Sequence, residues 1–314
     1  MYKALTKTLL VLVLGLGLGL TQNVMAENYT IGTGSQSGTY YPLGGTLAKI
    51  WSENIPNFNM RAEVTAASVE NIIKVATNKQ LAGIAMGNVA LKAHNGEKPF
   101  PRTMPTDVLF ALYPNVVQFI VPADSDIKSI SDLKGKKVSL GAPGSGTRVS
   151  SVNILNTLGI TEKDITAQSL NYTATTSAIA NGQIDAGVIV GSLGVGAITE
   201  LALTRNIRIL SFTKDELAKI QTANPSYLPL EAPAGSYKNV PEFTAPAVWN
   251  VLVVNKKLDN KLAYEMTKVA FDHIDQIRKA IGVTKFMTVK NMNKLKGVEL
   301  HPGAKKYYDE HIGQ

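Results

Sequence analysis

Lys137 to Arg148 reads KVSLGAPGSGTR, and no other run constrains the fold of this chain as strongly. Lys137 to Leu140 has the composition of a buried strand, and Gly141 to Gly146 is a loop of glycine and small residues. Thr147 to Leu158 then carries a helical pattern, with Gly159 as its stop. A strand that enters a helix through such a loop turns backbone N–H groups and small hydroxyls toward one point, where the helix adds the positive end of its dipole. The consequence is a site for an anion. An earlier run, YTIGTGSQSGTYYP from Tyr29 to Pro42, has the same layout. Ile165 to Gln168, Thr175 to Ala180 and Ile184 to Val190 repeat the strand, helix, strand order found between Asn59 and Met86. One design used twice predicts two lobes, each with such a loop, and a cleft between them.

Neither loop fits a nucleotide. The spacing from Gly141 to Gly146 imitates a P-loop, but Thr147 and Arg148 follow where Lys and Ser/Thr are required. Gly32-x-Gly34 resembles the start of a dinucleotide fingerprint, whose third glycine belongs at Ser37 and falls instead at Gly38.

The N-terminus has the three parts of a secretory signal: Lys3 and Lys7, an apolar run from Leu9 to Leu20, and Val24-Met25-Ala26 as a cleavage site. Cleavage is expected after Ala26, giving a periplasmic protein. The run is too short and too rich in glycine for a span, which needs about 20 apolar residues. The chain has no cysteine, so neither a disulfide nor a lipid-modified cysteine is available. Its net charge of +8 becomes +6 once Lys3 and Lys7 are removed, 30 basic against 24 acidic residues. The basic residues are scattered without interleaved aromatics, so no nucleic-acid partner is expected.

Along the mature chain, Tyr29 to Thr33 reads as a strand, followed by a helix with Pro42 in its first turn and a stripe of Leu43, Leu47, Ile50 and Trp51. Phe58 to Val64 is a strand, Ser68 is a candidate N-cap for a helix from Val69 to Thr77, and Leu81 to Met86 is a further strand. Val108 to Pro122 and Val248 to Val254 are apolar strands. Asn224 to Pro246, rich in proline, reads as irregular surface. Crossings near Gln118 to Val121 and Pro246 to Asn250 are expected to form a hinge, dividing lobe I (27–118 and 248–314) from lobe II (119–247).

Several motifs keep one order through the mature chain: Tyr40-Tyr41-Pro42, Ser68-Val69-Glu70-Asn71, Ala111-Leu112-Tyr113, Asp132 to Lys136, Gly141 to Thr147, Gly182 to Ala186 and His301-Pro302-Gly303-Ala304. In these the sequence resembles the TAXI-type solute-binding proteins of TRAP transporters. The resemblance implies an α/β, two-lobed type II periplasmic-binding fold, each lobe a mixed sheet flanked by helices, with the ligand cleft between the lobes. It implies a monomeric receptor without a cofactor that delivers glutamate-like amino acids or other small organic acids to membrane permease subunits. The cleft contacts it implies are Gly34, Gln36, Tyr40, Ser68, Asn71, Ser145, Gly146, Thr147 and Ser192. Gln36 stands where relatives commonly carry a smaller residue, so its role rests on its amide chemistry. Gly194-Val195-Gly196 stands where the family often has proline and an aromatic.

The pattern lacks the parts of an enzyme. His94, His273, His301 and His311 have no histidine or cysteine partner at i+2 to i+4, and Gly34 to Gly38 places Gln36 where a nucleophile elbow needs serine. Across the candidate cleft loops the only charged residues are Glu70 and Arg148. Amides, hydroxyls and glycines suit a carboxylate, and Arg148 either makes a bidentate pair with it or faces outward from the first helical turn. Because an ammonium group would need an anionic partner, the lining favours a dicarboxylate or 2-oxo acid such as 2-oxoglutarate over an amino acid. An enzyme using the same cleft and an exported surface-interaction protein are the rival readings.

Overall fold

The structure, a computed structural model, describes residues 27–294 and 297–313; the expected signal peptide and its cleavage site after Ala26 lie outside the described residues. The chain begins with strand β1 (Glu27–Gly32), helix α1 (Tyr40–Asn54), β2 (Phe58–Glu63), α2 (Ser68–Ala76), β3 (Ala82–Met86) and α3 (Gly87–Asn95). The long β4 (Thr106–Pro122) leads to β5 (Lys137–Ser139), α4 (Gly146–Thr157), β6 (Thr166–Gln168), α5 (Tyr172–Ala180), β7 (Ala186–Gly191) and α6 (Gly196–Thr204). After β8 (Ile207–Ile209), α7 (Lys214–Ala223) and β9 (Tyr227–Ala232), the long β10 (Phe243–Asn255) returns the chain to α8 (Asn260–Asp272), α9 (Ile274–Ala280) and α10 (Pro302–His311).

The repeat read from the sequence is present in the strand pairing. β1 lies between β2 and β3 and is parallel to both; β5 lies between β6 and β7 in the same way. The long strands join these two units into one path, β2-β1-β3-β10-β4-β7-β5-β6, with β8 on β4 and β9 on β10. β4 and β10 are antiparallel to each other, and each is antiparallel to its other neighbour on the path. Loops that follow β1 and β5 at their C-terminal ends therefore face one another across the long strands.

Burial on both sheet faces explains why the long strands read as continuous apolar runs. Leu252 and Val254 of β10 join one cluster with Trp51, Phe110 and Phe271, while Val251 and Val253 join another with Ile72, Phe119 and Ile189. Trp51, fully buried on the expected stripe of α1, donates its indole N–H to the Met266 carbonyl at 2.8 Å and so ties α1 to α8.

Two expectations are corrected by the structure. The irregular stretch from Asn224 to Pro246 contains β9, paired antiparallel with β10 from Tyr227–Val248 to Ala232–Phe243. Pro229 is tolerated because, among the described strands, β9 pairs with β10 alone. Ser68 is the first residue of α2 rather than its N-cap: Ala67, at φ 81°, precedes the helix, and the Ser68 Oγ instead accepts the Met86 N–H at 3.1 Å.

Candidate functional site

The loops after β1, β2 and β5, the end of β7 and the first turn of α5 meet over Tyr113 and Asn115 of β4 and line an open cleft of about 450 Å³. That volume lies in the range of about 300–1,000 Å³ usual for small-molecule sites. Of the residues expected in a cleft, Gly34, Gln36, Tyr40, Ser145, Gly146 and Thr147 are brought together in its lining. Ser145 caps α4 by accepting the Arg148 N–H at 3.0 Å, which leaves the first-turn N–H groups of Gly146 and Thr147 without an intrahelical acceptor.

The other four expected residues lie outside the lining. Asn71 is fully buried; its amide donates to the Thr33 and Ile84 carbonyls, both at 2.8 Å, and accepts from the Thr65 hydroxyl at 2.6 Å, so it braces the two neighbouring loops. Ser68 sits behind the wall, bonded to β3 as described above. Arg148 turns away to pair with Glu162, a residue of the loop beyond α4. Ser192 spends its hydroxyl on Thr39 at 2.7 Å.

Among the described residues, no charged side chain lines the cavity. Glu70, the one acidic residue expected near it, accepts the Ala66 N–H at 2.7 Å and pairs with Lys74 at 2.9 Å. The N-terminus of α2 is occupied as well, since the Val69 and Glu70 N–H groups both donate to the Gly144 carbonyl, at 3.1 and 3.2 Å. Among the helix ends at the cavity, α4 therefore offers its dipole more freely than α2 does. A close approach makes this possible: a Cβ on Gly146 would lie 2.5 Å from the Ser68 Oγ and 3.0 Å from the Met86 sulfur.

Three tyrosines add hydroxyls to the wall. Tyr40 donates to the Asn250 Oδ1 at 2.5 Å, and Tyr172 donates to the Val190 carbonyl at 2.6 Å with Thr147 beside it at 3.3 Å. The Tyr113 hydroxyl and the Asn115 Oδ1 have no partner among the described residues, although both side chains are buried. Burial raises the Tyr40 and Tyr113 hydroxyls well above their ordinary pKa and pushes Tyr172 up to about 12, so all three stay protonated at neutral pH. Sequence reasoning missed Tyr113 and Asn115 as site residues. The available signal was the polar Asn115 inside the otherwise apolar ALYPNVVQFIV run.

The arrangement can hold a small polar solute in an uncharged cleft, by the first-turn N–H groups of α4 and the unpaired Tyr113 hydroxyl. Among solved structures, PhnD1 from Prochlorococcus marinus in complex with methylphosphonate is similar at 13% identity and a TM-score of 0.54, over 82% of this chain and 91% of that one. The alkanesulfonate-binding protein SsuA from Xanthomonas axonopodis pv. citri bound to MOPS is similar at 15% identity and 0.51, over 91% and 84%. An ancestral arginine-binding protein bound to arginine is similar at 15% identity and 0.50, over 82% and 99%. These likenesses establish the two-lobed fold of type II periplasmic binding proteins. The sequence matches the NMT1-like family from residue 31 to residue 311, through both repeats and the closing helices, and the chain belongs to that family.

Proposed function

We propose that the chain is an exported, monomeric solute receptor that closes on a small organic anion and delivers it to the membrane permease of a TRAP-type transporter. Lobe I comprises residues 27–118 and 248–314, lobe II residues 119–247, and β4 and β10 carry the hinge. The observation that supports this reading best is the cleft itself, walled by segments from both halves of the sheet and lined by polar groups without a formal charge. A carboxylate fits against the first turn of α4, where Gly146 and Thr147 present N–H groups, with the unpaired Tyr113 hydroxyl in the same lining. Gly34, Gln36 and Tyr40 face it from the other wall.

Since no carboxylate of the described residues lines the cavity, an α-ammonium group would be buried there without an anionic partner, at a cost of several kcal/mol. Dicarboxylates and 2-oxo acids such as 2-oxoglutarate therefore suit it best. A second reading, a receptor for glutamate- or glutamine-like amino acids, is favoured by one atom: the buried Asn115 Oδ1 is an acceptor that a solute N–H would satisfy.

Thermal unfolding of the cleaved protein, refolded to strip carried-over solute, tests both readings against a panel of dicarboxylates, 2-oxo acids and amino acids. Solute at about 100 times its Kd adds about 2.7 kcal/mol, a rise of several degrees in midpoint. A shift with amine-free diacids supports the first reading, and a shift confined to amino acids transfers it to the second. The absence of any shift favours a surface-interaction protein, and consumption of the solute identifies an enzyme.

A further inference from the structure

Hydrogen bonds between protein groups join the two loop sets at the rim of the cavity. Thr39 and Ser192 share a hydroxyl–hydroxyl bond of 2.7 Å, and Ser37 and Thr173 one of 3.1 Å. The Ala197 N–H adds a bond of 3.1 Å to the Ser37 carbonyl. In each pair, one residue follows β1 and the other belongs to the β5–β7 half of the sheet. The loop of Ser192 is held from behind: the Tyr237 hydroxyl donates to Gln118 Oε1 of β4 at 2.6 Å and accepts the Gly194 N–H at 3.1 Å. Neither Ser37 nor Ser192 lines the cavity, and Ser192 is only 3% exposed.

We propose that Ser192, together with Ser37, is a positioning residue for solute capture, acting on lobe closure without touching the solute. The proposal rests on the receptor reading. Bonds that span the two lobes exist only when the lobes are together, so their free energy adds to closure by the same amount for every solute. Residues lining the cavity change affinity differently from one solute to the next; these two change it by a common factor, chiefly through faster release. Ser192 thus stands among the residues the family resemblance marks, with a role other than direct contact.

The chain has no cysteine, so Lys49→Cys on α1 and Glu200→Cys on α6 place two nitroxide labels specifically on exposed positions of the two lobes. Pulsed electron–electron distance measurements on the parent, Ser192→Ala and Ser37→Ala/Ser192→Ala then report lobe closure, with and without 2-oxoglutarate, succinate or glutamate. In the double variant the distances shift toward the open population. Its affinity for each probe that binds the parent falls by one common factor, about tenfold, while the unfolding midpoint without solute stays within a few degrees. Unchanged distances, or a loss that differs between solutes, overturns the proposal. If none of the probes binds the parent, it is the receptor reading that fails, and the distances measured without solute still decide whether these serines hold the lobes together.

Discussion

Tyr113 carries a hydroxyl that the fold surrounds without pairing, on a side chain that is fully buried. Removing it sacrifices no protein hydrogen bond, so Tyr113→Phe is expected to leave the unfolding midpoint unchanged or slightly raised while weakening the bound solute by about tenfold. Calorimetric titration and thermal unfolding of one preparation check both halves, and a variant that loses stability without losing affinity contradicts the assignment. His301 shows how a motif residue comes to serve the fold. It is fully buried, caps α10 by accepting the Gly303 N–H at 3.2 Å, and stands before Pro302 at the helix start. Burial lowers its pKa below the ordinary 6.5, so the unfolded chain takes up this proton first and stability falls as pH drops below that value. His301→Asn keeps a capping side chain and should flatten the stability profile below about pH 6.5, read by denaturant unfolding at a series of pH values. Asp107, raised by its own burial and lowered by the nearby Lys256 and His301 charges, contributes the opposite slope at lower pH. The sequence placed Arg148 in the first turn of α4 but not its direction, because Glu162 reaches it only through the loop that follows the helix.

At the scale of elements, the strand–loop–helix units were the most legible part of the chain. Their glycines are needed for specific reasons: Gly141 has φ +101°, and Gly146 lies where a Cβ would strike the Ser68 Oγ and the Met86 sulfur. Because Ser68 belongs with the β1–β3 unit and Gly146 with the β5–β7 unit, the proposed closure predicts that Gly146→Ala folds normally yet holds the two units apart and loses most solute binding. Scattering profiles and titration together check this, and a variant that closes and binds as the parent does refutes it. α7 was not read from the sequence, although Thr213 and Glu216 form a capping box, with the Glu216 N–H bonded to the Thr213 hydroxyl at 3.2 Å and the Thr213 N–H to the Glu216 carboxylate at 2.7 Å. β9 was not legible: Pro225 and Pro229 signal a loop, and only the company of β10 makes the segment a strand.

At the scale of the molecule, the proposed receptor function asks two halves of one sheet to move about shared strands. β10 pairs with β4 through register shifts between Trp249 and Val251 and between Leu252 and Val253, the kind of irregularity that lets a pair of strands bend. Addition of a solute that stabilises the protein should therefore lower the radius of gyration in solution scattering, and an unchanged profile at saturation counts against closure as the working motion. The sequence by itself determined the doubled strand–loop–helix unit, the buried long strands and the polar, glycine-rich character of the loops, because these follow from local periodicity and from the backbone freedom of glycine. Only the tertiary structure decided which polar groups face the cavity. Asn71, Arg148 and Ser192 were each taken by partners far along the chain or beyond their own element, while the Tyr113 hydroxyl and the Asn115 Oδ1 were left unpaired in the cavity wall. A side chain's hydrogen-bonding capacity is local chemistry, but which partner satisfies it is settled only when distant segments are brought together.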